Sequence, residues 1–173
     1  MDPIDTLMDE HRTIERGLDA LEVLAGQLAD GADISRERPD ALLSFIREYG
    51  DDFHHQKEEG LLFPALGRAG MPSNMGPVAV MLHEHDVGRA HVESMAAAVD
   101  AGLAGDARGA FITHARGFAQ LLRSHIQKED GILYPMARQR ITGPQWEELA
   151  AGVKAVVDSK RAEAERLVAL LDG

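Results

Sequence analysis

Two short stretches of this chain repeat one another and carry side chains suited to holding a metal. His54-His55-Gln56-Lys57-Glu58-Glu59-Gly60-Leu61-Leu62-Phe63-Pro64 and His125-Ile126-Gln127-Lys128-Glu129-Asp130-Gly131-Ile132-Leu133-Tyr134-Pro135 are identical at seven of eleven positions. Residues four apart on a helix project from one face, so His54 with Glu58 and His125 with Glu129 each offer a nitrogen and an oxygen in one direction. One such pair is common by chance in an acidic helix; two in matching context are not. A weaker echo relates Glu10-His11 to Glu84-His85, each followed by an arginine at a different offset. The chain therefore reads as two helical hairpins of one design, each with a His on its first helix and an H-x-x-x-E on its second. The imidazoles of His11, His54, His85 and His125 and the carboxylates of Glu58 and Glu129 form a set for two iron or manganese ions, with the carboxylates free to bridge. Zinc accepts the same ligands.

Helices must position these groups, and the apolar residues recur at helical spacing nearly throughout. The first helix opens with Asp2 as its cap and Pro3 at its first position, carries the stripe Ile4, Leu7, His11, Ile14, Leu18, Leu21, Leu28, and ends at Gly31. A second begins near Pro39 and is expected to break or kink at Pro64. The third runs from Pro77 to near Gly102 and the fourth from about Ala107 to the Tyr134-Pro135 step. A capping box, Thr142 to Gln145, is expected to start a fifth. The expected fold is all-α, an antiparallel up-down four-helix bundle over residues 1–140, with an additional C-terminal helix, 141–173, packing on it.

A helical wheel separates the doubled residues. His54 shares its face with Leu43, Ile46, Gly50 and Leu61, whereas His55 falls with Ser44, Glu48, Asp51, Asp52 and Glu59 and is expected to face solvent. The same test sets His85 among Val78, Met81, Leu82 and Val92, and His125 among Phe118, Leu121, Leu122 and Leu133. Glu59 and Asp130 read as surface or supporting groups, His83 as exposed, and His91, beside Val87 and Met95, as an ordinary residue with an inward or ligating role as the alternative. His114 stands 11 residues from His125, about 16 Å along the axis, and is out of reach of the same metals. Core histidines hydrogen-bonded to two glutamates are the bland alternative. It fails on magnitude, because an uncompensated buried carboxylate costs several kcal/mol against a total stability of about 5–15 kcal/mol.

Composition excludes other chemistries. The chain has no Cys, hence no disulfide, thiolate metal site or thiol nucleophile. With 18 Lys+Arg against 29 Asp+Glu its formal charge is −11, which argues against nucleic acid or an anionic membrane as partner. No apolar run approaches the roughly 18 residues of a membrane span, and the acidic N-terminus lacks a signal core, so a cytoplasmic location is expected. Monomer and homodimer both stay open.

With these residues assembled, the chain resembles the hemerythrin-like HHE cation-binding family, on Glu10-His11, the stretch from His54, His-Glu-His-Asp from His83, and the stretch from His125. The resemblance covers residues 4 to 138. It implies a four-helix bundle around two non-haem Fe ions, oxo- or hydroxo-bridged, with His11, His54, Glu58, His85, His125 and Glu129 as ligands. Oxygen-carrying hemerythrins have an H-x-x-x-H on the third helix; four residues beyond His85 stands Arg89. The fifth His is missing from that place, which leaves a ligand position open or filled by a nearby Glu, Tyr or His91. Iron-centre repair proteins of that family carry a Cys-bearing domain that is lacking here, and no E-x-x-H of ferritin type occurs. The expected function is binding of O2 or a related diatomic or peroxidic ligand, in oxygen handling, sensing or defence against reactive oxygen or nitrogen species; the alternative is a di-iron redox enzyme acting on peroxide or NO.

Overall fold

The computed structural model describes residues 1–172, and they form helices with no strand. Helix α1 (Pro3–Ala29) starts as the sequence predicts: the Asp2 carboxylate accepts from the backbone N–H of Ile4 at 2.9 Å and of Asp5 at 3.0 Å. It ends before Gly31, which takes a positive φ of 85°. The second rod begins as α2 (Glu37–Ser44), continues as wide π-helical turns over Phe45–His55 and Glu58–Leu62, and finishes as α3 (Phe63–Arg68). After α4 (Gly76–Asp100), the fourth rod comprises α5 (Asp106–Lys128), a π-helical turn at Glu129–Leu133 and α6 (Tyr134–Arg140). Helix α7 (Pro144–Ala169) closes the chain with a short 3₁₀ turn at Leu170–Asp172.

Three expectations need correcting. The chain stays helical through Pro64 and Pro135 and ends its rods at Arg68 and Arg140. Each proline follows a π turn and occupies the first turn of a new α segment, where its missing N–H and its ring are tolerated. Helix α7 has Gly143 as its cap, at φ 57°, with no side-chain capping bond, so the Thr142 capping box does not form. The π-helical stretch over Phe45–His55 also turns the wheel reading of His55 around, because its turns hold more residues than the 3.6 the wheel assumes. His55 is buried.

The rods pack around two apolar clusters. Leu18, Leu21, Phe45, Phe118 and Ala119 belong to one, while Ile4, Leu7, Leu62, Leu66 and Tyr134 belong to the other. Helix α4 lies against α5, α1 against α5, and α7 against the long π-helical stretch and α1. Leu167 of α7 joins the first cluster, and Leu149 and Val153 join the second. Buried polar residues, mainly His and Glu, gather with these clusters.

Candidate metal centre

Six buried side chains predicted from spacing meet here, with a seventh that the spacing missed. His11, His54, Glu58 and Glu129 each place a ligand atom within 4.8 Å of the others, and His55, Glu58, His85 and His125 do the same. Glu58 belongs to both groups. Within the second group, His85 Nε2 and His125 Nε2 stand 3.1 Å apart. Glu129 Oε2 lies 3.3 Å from His11 Nε2 and 3.2 Å from His125 Nε2, and Glu58 Oε2 lies 3.4 Å from His85 Nε2.

Every imidazole is oriented from behind. Nδ1 of His54 donates to Glu10 at 2.8 Å, His125 to Glu84 at 2.9 Å, His11 to Asp130 at 2.7 Å, His85 to Glu59 at 2.7 Å, and His55 to Asp51 at 3.2 Å. A carboxylate accepting from Nδ1–H fixes the tautomer that turns the Nε2 lone pair inward, as ligating histidines require. The carboxylates are held in turn. Glu10 pairs with the fully buried Lys57 at 3.1 Å, Glu84 with Lys128, Asp130 with Arg12, and Asp51 and Glu59 with Arg89 at 2.7 Å. Arg89, standing where a fifth His was sought, therefore braces the carboxylates behind His55 and His85.

The interior ends of these groups lack partners. His54 Nε2, Glu58 Oε2 and both carboxylate oxygens of Glu129 are buried with no hydrogen bond, and Glu58 and Glu129 are fully buried. A buried, unpaired carboxylate is costly, and these converging oxygens and nitrogens form groups able to hold a metal cation. Glu58 keeps one bond through Oε1, which accepts from the Tyr134 hydroxyl at 2.6 Å; that hydroxyl lies 3.2 Å from His11 Nε2.

Without a cation, protons balance the charge. Burial opposes a charged His11, but its bond to Asp130 and the nearby Glu129 charge hold it up at about 9. Burial is likewise outweighed at His85 by Glu58 and Glu59, which raise it to about 10. Burial dominates at His54 and His55, pushing them down to about 3 and about 4. It also lifts Glu10 to about 7, against the pull of Lys57.

The remaining histidines stand apart. His91 and His114 pair with each other, Nδ1 to Nδ1 at 3.1 Å, so His91 does not reach the site, and His83 is exposed. Sequence reasoning missed His55 as an inward group with Asp51 behind it, and missed Lys57 as the partner of Glu10 and Tyr134 as the donor to Glu58. For Glu10 and Glu84 a signal existed in the repeated Glu-His dipeptide.

Comparison with known sequences agrees with the chemistry of the donor set. The profile of the hemerythrin HHE cation-binding domain matches residues 2–137. Three uncharacterized proteins, from Mycobacterium bovis and two strains of Mycobacterium tuberculosis, are each 27% identical over 142 residues, covering 73% of this chain and 54% of the relative. The chain thus spans about half the length of the curated relatives it matches. No helix among the described residues is long and apolar enough to cross a membrane.

Proposed function

The chain belongs to the hemerythrin HHE cation-binding domain family, and on that premise we propose that it holds two non-haem iron ions and binds O2 or a related small ligand at them. The orphaned Glu58 and Glu129 oxygens, converging with inward imidazole nitrogens, carry this reading. The scaffold is an antiparallel up-down four-helix bundle over 1–140, with 141–173 as an appended helix. His11, His54 and Glu129 would hold one ion, His85, His125 and His55 the other, and Glu58 lies within reach of both groups. Bound iron supplies the electrons that a diatomic ligand accepts.

The protein's own residues do the rest. Five carboxylates behind the imidazoles hold each Nε2 lone pair inward, and apolar walls exclude water. The Tyr134 hydroxyl keeps a proton 2.6 Å from Glu58 Oε1, where it steadies the shared carboxylate. His55 supplies the fifth imidazole that the third helix lacks, which favours ligand binding over turnover of peroxide or NO. Anaerobic loading with Fe(II) followed by exposure to O2 tests this. Uptake of O2 in proportion to iron, with an absorption change reversed on deoxygenation, is expected. Sustained consumption of peroxide or NO above free-iron background overturns binding in favour of an enzyme.

A further inference from the structure

One face of the centre is not closed by protein. A cavity of about 220 Å³ runs from His55 and His85 outward between the long π-helical stretch, α4 and α5. Its walls are Leu18, Phe45, Ile46, Val92, Phe118 and Leu122, and the charged Arg47 and Glu93 stand at its exposed end. A diatomic ligand fills a small part of such a space. An apolar cavity of about 150 Å³ stays dry and takes up benzene.

Two glycines keep it open. Gly50 and Gly88 line the cavity from facing helices, and neither has a positive φ, so the backbone does not demand glycine at either place. A Cβ at Gly50 would meet nothing within 4 Å, and one at Gly88 would make ordinary contact with Phe118 at 3.5 Å. A mid-helix glycine is less stable than alanine there, and an apolar void forfeits packing. The repeated hairpins supply an internal control. Three residues beyond His85 stands Gly88, but three beyond His11 stands Ile14; four before His54 stands Gly50, but four before His125 stands Leu121. Ile14 itself lines the cavity, so the contrast rests on Gly50, whose counterpart Leu121 is not in its walls.

We propose that this cavity is a binding chamber for a compact apolar organic molecule, one aromatic ring in size, seated against the His55–His85 face of the centre. Its position over the ions rests on the metal-centre reading, whereas its filling does not. Toluene is the probe, added to metal-free and iron-loaded full-length protein, with melting temperature and titration calorimetry as readouts and metal content measured in parallel. Wild-type protein is expected to bind toluene saturably in both states. Gly88→Leu and, separately, Gly50→Leu are expected to weaken binding at least tenfold while metal content stays at the wild-type value. Absence of saturable binding to wild-type protein overturns the chamber, as does undiminished binding in either folded variant. Protein that binds toluene but takes up no iron leaves the chamber standing and removes the metal reading; protein that loads iron but ignores toluene does the reverse.

Discussion

The two hairpins solve one problem twice, and their differences are more telling than their likeness. In each, a glutamate beside the first-helix histidine reaches across to Nδ1 of the second-helix histidine and to a lysine three residues beyond it: Glu10 to His54 and Lys57, Glu84 to His125 and Lys128. Each second helix then returns the favour across the hairpin boundary, Asp130 to His11 and Glu59 to His85, with Arg12 and Arg89 behind them. Phe63 stacks on His85 as Tyr134 stacks on His11. The symmetry breaks at four matched positions. His55 faces inward where the repeat has Ile126, Tyr134 adds a hydroxyl where the repeat has Phe63, and Gly50 and Gly88, which line the cavity, stand where the repeat has Leu121 and Ile14. What is shared orients the imidazoles; what differs makes the two donor groups chemically unequal.

The largest expected break in this scheme comes from the one residue both groups use. Glu58→Ala is expected to lose both ions by metal analysis, whereas His55→Ile, which restores the repeat at that position, is expected to weaken one ion and spare the other. The lysines come next. Lys57→Met strands a buried Glu10 and is expected to cost about 3–5 kcal/mol in denaturant unfolding. Its counterpart Lys128→Met, with a third of its side chain exposed, is expected to cost about 0–1 kcal/mol. Equal costs would show that the hairpins are not energetically distinct.

Protons give a milder test. His11 and His85 are raised from 6.5 to about 9 and about 10, so the metal-free fold binds more protons there than the unfolded chain does. Their stabilisation is complete below pH 6.5 and drains away as pH rises through those values. Metal uptake requires their deprotonation, so uptake at pH 7 is expected to release protons and affinity to rise with pH. A pH-stat titration with no proton release contradicts this. Tyr134→Phe makes the second repeat copy the first and removes one hydrogen bond to Glu58, with an expected loss of about 1 kcal/mol of stability and metal content retained.

Much of this was legible in the chain because helical spacing and an internal repeat are local signals. Asp2 and Pro3 announce α1, and the two H-x-x-x-E pairs bring their own ligands together at i and i+4. His55 was not legible, since a wheel at 3.6 residues per turn fails over π-helical turns. The same turns let the rods pass Pro64 and Pro135, which local rules take as stops. Asp51, Glu59 and Asp130 look like solvated acids in sequence, and only the crossing of helices shows which imidazole each one orients.

The proposed pair of cations, held across both hairpins, depends on Glu58 more than on any other residue. Metal analysis of protein purified from iron-replete cells, beside Glu58→Ala prepared identically, separates the outcomes. About two iron ions per wild-type chain and close to none in the variant are expected; a metal-free wild-type protein, or a variant that keeps both ions, overturns the shared site.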